Sequence, residues 1–497
     1  MGKEVVGKLL KTVVQGAFSH NQQRKAQKAQ AKQAVASVRA NVMVNKQSNN
    51  DAIYPLYGKH RIGGTRVFVE ASDGAGNVQG IDANGDATNT EVLNMVIAMC
   101  EGEMDDITQL WFNDTIVWDS AVNGTKGTLA SGGYSLQNFM SGTKYSGATM
   151  YVAWYPGTDV QTADPTINAS VGGSVWSGNH VLRGLSYLAL KLQASEKFGG
   201  QLPTFNATLQ GKKILDVSTL TEGDTLADFT SANYTAGADQ NPADVMYDYL
   251  TSDRFGKGLD RDANGNLVVG TDIDLLSFQS AKTHSNAARS GSGYKINGFL
   301  QTERQIFDNV SEILEACNGI LRFIDGKYQL HIKRKDEATL TNAAHVFTKE
   351  EIIGEISLVL PTKSAKLNKV TGNFNNAAEK YNDDLVLFKS DPYILEDNGS
   401  VLEAQEDYTL ITDSAIVTDL ITQMAEKSRN RQTISFTAAH TAMLLKAGDV
   451  VEFRNDDLGW GRGASQTVKW FRIQELKLTE DNTVEIVATT YNSALEL

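Results

Sequence analysis

The chain has 497 residues, of which 41% are hydrophobic and 21% charged, and its formal net charge is −13. These values are typical of a folded globular protein and argue against a disordered chain, and the length predicts about three domains. Cys100 and Cys317 stand far apart without a CxxC pair, so neither a disulfide framework nor a zinc site is indicated. Since the sequence has no long apolar run and no signal-peptide core, we expect a complete mature chain that folds in a reducing compartment such as the cytoplasm.

Residues 1–50 form a basic arm that precedes an acidic body. Residues 1–47 hold nine Lys or Arg against Glu4 alone, a net +8, so the rest of the chain carries −21. Apolar residues recur at about every fourth position, which predicts an amphipathic helix with one unpartnered stripe: Val5, Val6, Leu9, Leu10, Val13 and Val14. We interpret the stripe as a partner-binding site. A helix packed on its own body and a helix on a membrane surface are the alternatives.

Residues 100–118 predict an acidic Gly turn followed by a Trp-bearing hairpin. Segments 110–112 and 116–118 are short strands, because the Asn113-Asp114 pair between them tolerates the positive φ of a tight turn. The carboxylates ahead of the hairpin are predicted to be solvated turn residues, since a chain with 59 Asp and Glu always contains such pairs: Glu101, Glu103, Asp105 and Asp106.

Residues 150–209 pair extended segments with turns. A strand over 150–154 is predicted to end in a type II turn at 155–158, where Pro156 fixes φ and Gly157 supplies a positive φ. The run 181–190 is rich in Leu and Tyr and predicts a further extended segment. Phe198-Gly199-Gly200 then interrupts the chain before a strand that begins near Pro203.

The middle of the chain predicts a small α/β module. Asn241 and Pro242 suit the N-cap and first turn of a helix over 241–250, and an apolar face marks a second helix over 302–316. Two segments, 320–324 and 328–332, then form a hairpin around a Gly-containing turn.

One loop in this module resembles half of a calcium site. Residues 260–266 carry acidic and amide side chains at the spacing of a calcium loop, but Thr271 stands where a bidentate Glu is needed. A hairpin turn at Asn264-Gly265 accounts for the same residues and is favoured. Residues 82–86 are a weaker copy of the pattern.

The last third predicts a β-rich unit with one helix. The strand candidates are 369–374, 434–437, 450–453, 470–476 and 483–489. A helix over 419–429 combines an apolar face with basic residues.

No pattern for catalysis, cofactor binding or metal binding emerges. The seven histidines are scattered, without HExxH or His-x-His spacing, and neither a GxSxG elbow nor a GxxxxGKS/T phosphate loop occurs. We therefore predict a non-enzymatic protein without catalytic residues, cofactors or metal ligands.

The order of these motifs resembles the tail tip hub proteins of long-tailed bacteriophages, the family of the tip attachment protein J of lambda-like phages and of the gene transfer agent hub. The similar segments follow the family's order: the hairpin at 110–118, the turn at 155–158, Gln161, Asp164-Pro165, Arg183-Gly184-Leu185-Ser186-Tyr187, the strand start at 200–205, the Asn-Pro helix at 241 and the helix that precedes Gly448-Asp449-Val450-Val451. Leu182 departs from the aromatic residue that the family often has before Arg-Gly. The resemblance covers roughly residues 55–490.

The resemblance implies a mainly β fold with α+β parts. It consists of two tail-tube-like β-barrel domains, a small α/β module and the N-terminal amphipathic helix. The implied boundaries are 1–50 for the arm, 51–220 for the first barrel with an inserted loop region at about 119–180, 221–340 for the α/β module and 341–497 for the second barrel.

The resemblance also implies a structural function at the virion tail tip after assembly in the host cytoplasm. A homotrimer would adapt the sixfold tail tube to threefold symmetry, close it, and open for DNA ejection. The implied partners are the distal tail protein or tail tube ring, the tape measure protein and tip or fibre proteins. An acidic lumen wall would let viral DNA pass without specific binding, because like charges repel. Protein J continues into receptor-binding modules, whereas this sequence ends at Leu497. Contact with the host envelope would therefore be indirect, through separate fibre or tip proteins, or direct, through loops at the closed end of the hub.

Two other functions remain open from the sequence alone. One is a hub-associated cell-wall hydrolase, which rests only on biological association. The other is a host-surface adhesin that would use the Trp- and Tyr-bearing residues 119–176. Such aromatic residues more often belong to a core or a subunit interface.

Overall fold

The computed structural model describes residues 45–46, 52–76, 78, 92–124, 126–193, 196–198, 204–339 and 341–496. The first part of the chain is here called the N-terminal β unit, and its described residues include two short α-helices, α1 (Ser120–Asn123) and α2 (Pro165–Val171). Its strands are β1 (Leu56–Tyr57), β2 (Lys59–Ile62), β3 (Thr65–Ser72), β4 (Val92–Glu101), β5 (Met104–Phe112), β6 (Thr115–Asp119), β7 (Gly127–Thr128), β8 (Tyr134–Leu136), β9 (Met150–Tyr155), β10 (Leu185–Gln193) and β11 (Phe205–Lys212).

Two sheets of the N-terminal β unit enclose a shared core. One sheet has the order β3-β4-β10-β9-β8-β7 and the other β2-β11-β5-β6. Large buried side chains from both sheets fill the space between them: Phe112, Trp118, Trp154 and Phe205. The predicted Trp-bearing hairpin is confirmed as β5 and β6, and Asn113 in its turn has φ of 52°.

The middle of the chain forms a helical module around a hairpin. Its elements are α3 (Pro242–Thr251), α4 (Leu275–Ala287), β12 (Gly298–Phe299), α5 (Ile306–Ala316), β13 (Gly319–Ile324) and β14 (Lys327–Ile332). The Asn241 side chain caps α3 by accepting from Ala243 N–H, as predicted. Strand β12 pairs with β1, which joins this module to the N-terminal β unit.

The described residues after Ile332 contain two sheets and two α-helices. The elements are β15 (His345–Phe347), β16 (Ile352–Val359), β17 (Lys369–Asn376), β18 (Asn382–Lys389), α6 (Asp391–Glu396), β19 (Glu403–Tyr408), α7 (Ser414–Asn430), β20 (Thr433–Ala438), β21 (Val450–Phe453), β22 (Lys469–Leu478) and β23 (Val484–Tyr491). The order β15-β21-β22-β23-β20-β16 defines the C-terminal sheet, and β18-β17-β19 forms a smaller sheet.

One core spans the middle module and the smaller sheet. Tyr247 and Phe278 of the module share it with Phe374 of β17 and Ile421 of α7. Helix α7 approaches β17 closely at Gly372, where only glycine fits because a Cβ would lie 2.6 Å from a Val417 methyl. Residues before and after position 340 therefore pack together.

The predicted mainly β fold class is confirmed. The N-terminal amphipathic helix lies outside the described residues. Within the described ranges, no helix combines the length and the apolar character that a membrane crossing requires.

Candidate functional site: a motif junction, two contact clusters and an exposed edge

The six residues predicted to bind a partner, Val5, Val6, Leu9, Leu10, Val13 and Val14, lie outside the described residues. Their role stays a prediction. The remaining motifs of the sequence lie in the described parts, apart from residues 200–203 of the strand-start motif and the weak calcium pattern at 82–86.

The motifs between 155 and 187 converge on one buried junction. After β9 ends at Tyr155, the chain reverses through Gly157, whose φ is 102°. Gly157 N–H donates to the Gln161 side-chain oxygen at 2.9 Å, and Gly184 N–H donates to the Gly157 carbonyl at 3.2 Å. Glycine is required at 157 because a Cβ there would lie 2.4 Å from the Gly102 carbonyl oxygen.

Gln161 links this turn to the start of β10. Its buried amide nitrogen donates to the Leu182 carbonyl at 2.6 Å and to the Leu185 carbonyl at 3.2 Å. The prediction of an extended run from 181 is wrong for its first residues, because Leu182 and Gly184 have φ of 47° and 73° and form a turn. The strand therefore begins only at Leu185.

Asp164 completes the junction. One carboxylate oxygen accepts from Ile167 N–H at 2.8 Å and caps α2, while the other accepts from the hydroxyls of Tyr151 and Tyr155 at 2.8 and 3.0 Å. Burial, followed by the Asp164 charge, raises the pKa of both tyrosines. The Tyr155 ring also stacks on Tyr187 at 4.4 Å. These polar groups are used to hold the loop region in place, which indicates a positioning role.

The carboxylates of the acidic turn are not simply solvated, so that prediction is wrong. Glu101 is only 8% exposed and its carboxylate lies 2.5 Å from Arg254 Nε. Glu103 pairs with Lys213 at 2.6 Å. The turn is therefore fixed by charge pairs to segments that follow much later in the chain.

The half calcium loop is a hairpin turn in the structure. The buried Asp260 carboxylate accepts from Asp272 N–H at 2.7 Å, from Ile273 N–H at 3.0 Å and from the Tyr247 hydroxyl at 3.0 Å. Asp262 accepts from the backbone of the turn itself. In the described ranges, no three His, Cys, Asp or Glu side chains gather as a metal site.

A contact between the smaller sheet and the N-terminal β unit was missed in the sequence. Tyr381, in the turn from β17 to β18, places its ring 4.9 Å from the His60 ring of β2. The Arg61 guanidinium lies 4.2 Å from the Trp111 ring, and Lys380 approaches that ring to 6.0 Å. Lys380 and Tyr381 have φ of 61° and 64°, which is costly for residues other than glycine. Burial lowers the pKa of His60 to about 4.

A buried ionic cluster joins the C-terminal sheet to the middle module. Arg472 of β22 contacts Glu337 at 2.6 Å, and Glu337 also contacts His331 of β14 at 2.6 Å. Glu496 lies 3.5 Å from Arg472 and 2.7 Å from Lys427 of α7. No sequence signal marks this cluster, because its members are separated by up to 165 positions.

Hydrogen bonds and charges set the protonation of Glu337. Its burial alone would raise its pKa, but the His331 hydrogen bond and the Arg472 charge outweigh burial and lower the pKa to about 2. Desolvation in turn lowers the pKa of His331. The Glu337 carboxylate is therefore ionised across the physiological pH range, and the cluster serves as a permanent joint.

The outer edge of the C-terminal sheet carries an exposed apolar groove, here called the edge groove. It has a volume of about 510 Å³ and is lined by Ile353, Ala439, His440, Met443 and residues 481–483. Strand β16 beside it pairs with β20 on one side only among the described strands. An apolar edge strand with a free side is a typical site for association.

Comparisons with known proteins agree with the resemblance seen in the sequence motifs. No family model matches the chain. Baseplate hub protein pb3 of Escherichia phage T5 is 22% identical over 481 residues, which cover 88% of this chain and 47% of that protein. The chain thus spans about half the length of this curated relative.

The fold is shared with a solved virion structure. A chain in the virion of a native gene transfer agent particle superposes with a TM-score of 0.61 at 15% identity, covering 91% of this chain and 87% of that one. A tail protein from Neisseria meningitidis MC58 matches with a TM-score of only 0.33 at 8% identity, covering 90% of this chain and 98% of that one, which supports no conclusion. Both comparisons agree with the resemblance seen in the motifs: the chain is similar in sequence to a baseplate hub protein, and it shares its fold with a chain of a virion particle.

Proposed function

We propose that the chain is the hub of a phage tail tip, a homotrimeric symmetry adapter between the sixfold tail tube and threefold tip. The observation that carries this proposal is the extent of the likeness. Similarity to a baseplate hub protein runs over 88% of the chain, and the fold agreement with the gene transfer agent virion covers 91%. A likeness confined to one domain would not support a hub role for the whole chain.

The two β units support the symmetry argument. The N-terminal β unit and the C-terminal sheet each contain a six-stranded sheet with its own core. Three copies would present six such units to a hexameric ring of the tail tube, which is what a sixfold to threefold adapter needs. We propose that the chain divides into the arm 1–50, the units 51–220 and 341–497, and the module 221–340 between them, with the smaller sheet packed on that module.

The partners follow from this role. We propose contacts with the distal tail protein or tail tube ring, with the tape measure protein, and with tip or fibre proteins, and an opening of the closed hub during DNA ejection. The net charge of −21 outside residues 1–47 would disfavour DNA binding to this part of the hub, because like charges repel. The N-terminal stripe is proposed as a docking site within the same assembly.

A structural role accounts for the chemistry of the motifs. Asp164 and Gln161, the buried polar residues of the motif junction, direct their hydrogen bonds to neighbouring backbone and tyrosine groups. We therefore propose a protein without enzymatic activity. A turbidity assay on purified cell walls is expected to show no clearing, and clearing by the pure chain would support a hydrolase instead.

The mass in solution tests the proposal directly. Light scattering on the full chain should give about 162 kDa, three times the 54.0 kDa of one chain. A variant lacking residues 1–47 tests whether the arm contributes to assembly. A chain that stays at 54 kDa at micromolar concentration, and that antibodies fail to locate at the tail tip of virions, would refute the proposal.

A further inference from the structure

The edge groove has features of a protein-binding site. Ile353, Met443 and Leu444 beside it are 48%, 52% and 88% exposed. Exposed apolar side chains that cluster along an edge strand are uncommon on the surface of a monomeric protein and are normally covered by a partner. The groove therefore calls for an occupant with an apolar face.

Acidic residues surround this groove. Exposed carboxylates occupy the segments on each side of it: Glu350, Glu355, Glu480 and Asp481. Ala439 N–H donates to the Glu351 carbonyl at 2.9 Å, which brings the turn that carries Glu350 against the groove. The neighbouring lysines are already paired, Lys349 with Asp457 at 2.6 Å and Lys477 with Glu485 at 3.6 Å. The occupant should therefore be cationic as well as apolar.

The N-terminal arm matches both requirements. It carries a net +8 and one apolar stripe, which is the pattern of an amphipathic helix that binds a groove. The chain enters the described body at Asn45, whose side chain is held by the backbone of Phe205 through two hydrogen bonds of 2.7 Å. The 30 residues between this anchor and residue 14 would be about 45 Å long as an ideal helix, so the stripe can lie far from the anchor.

We propose that residues 5–14 of one copy dock in the edge groove of a neighbouring copy. This inference rests on the proposed trimeric function and names the contact that holds it together. Each chain supplies one arm and one groove, so the contact is head to tail, and three copies close a ring in which every arm and every groove is used. The basic arm also offsets the repulsion between bodies that each carry −21.

Disulfide trapping between two differently tagged full-length copies tests the contact. One copy carries Leu9→Cys and the other Met443→Cys, and the mixture is oxidised. The native Cys100 and Cys317 are 2% and 0% exposed, so they do not compete. A matched control replaces Met443→Cys with Leu276→Cys, at a residue that is 71% exposed on α4 and remote in sequence from the groove.

The expected result is a cross-link between tagged copies for the groove position and at least fivefold less for the control. High salt should lower the yield because it screens the charges. If the mixture forms a 162 kDa trimer but the groove position gives no more cross-link than the control, the inference is wrong while the trimer stands. If a cross-link forms only within a single chain that carries both cysteines, the inference is also wrong. A mixture that stays monomeric and gives no cross-link refutes the trimer as well.

Discussion

Replacement of Glu337 tests whether the buried ionic cluster is the joint between the C-terminal sheet and the middle module. The change Glu337→Gln keeps the shape of the side chain and removes its charge. A carboxyl whose pKa falls from 4.5 to about 2 on folding contributes about 3 kcal/mol at neutral pH. The side chain is only 6% exposed, so solvent screens little of this contribution. Loss of one partner from a buried pair costs about 3–5 kcal/mol, which agrees.

The pH dependence gives the prediction its sign. Because folding lowers the pKa of Glu337, its stabilisation is fully present above about pH 4.5 and is lost as the pH falls from 4.5 towards 2. The difference in stability between the native chain and Glu337→Gln should therefore narrow as the pH falls below 4.5; above that pH it also reflects His331, whose protonated form Glu337 favours. A contribution from packing alone would not narrow in this window.

The assay must resolve the joint from the rest of the chain, since several cores need not unfold together. Hydrogen exchange of peptides covering 327–332 and 469–478 reports the opening of the joint, and the first thermal transition reports its stability. Glu475→Gln, at an exposed position of β22, is the matched control and should change stability by less than about 0.5 kcal/mol. A loss below about 1 kcal/mol for Glu337→Gln at pH 7, or a difference that does not change between pH 5 and pH 3, would refute the reasoning.

Three further predictions concern the junction, the contact cluster and the turn at 260. Gly157→Ala should destabilise the folded chain by about 2–3 kcal/mol in thermal scans, because φ is 102° and backbone atoms block the new Cβ. Gly124→Ala is the control: its φ is also positive, but the space around it is open, so it should lower stability less. Equal losses of stability for the two variants would argue against the steric explanation. Tyr381→Ala should cost about 2–4 kcal/mol and speed hydrogen exchange around His60, whereas unchanged exchange there would show that the two parts do not depend on this ring. Millimolar calcium should leave the melting temperature unchanged, because backbone N–H groups already occupy the Asp260 carboxylate, and a rise of several degrees would contradict this assignment.

Local signals explain why several elements could be predicted. The hairpin at 110–118, the Asn241 cap and the strand at 450–453 each depend on residues within a few positions, where turn chemistry and periodicity act directly. Helix α4 was missed because its sequence, from Leu275 to Ala287, is largely polar and shows no clear apolar stripe. Its residues Phe278 and Ala281 are buried only because other elements of the middle module pack around them.

The candidate site divides in the same way. The motifs of the junction were recognised because the turn, Asp164-Pro165 and the strand follow one another within about 35 residues. Their convergence and the helix cap by Asp164 were not predicted. The contact of Tyr381 with His60 joins residues 321 positions apart, and the pairing of Glu337 with Arg472 joins residues 135 positions apart. Such contacts arise when separate units pack together, so no local sequence pattern predicts them.

The sequence by itself determined the class of fold, the order of the motifs and the unequal distribution of charge between arm and body. These properties depend on residue type and on short-range spacing, which determine turns, caps and net charge. Only the tertiary structure decided which carboxylates are buried and paired, which strand of the C-terminal sheet has a free side, and where the apolar groove lies. Burial and pairing depend on what each residue meets after the chain has folded, and that information is shared among segments far apart in the sequence.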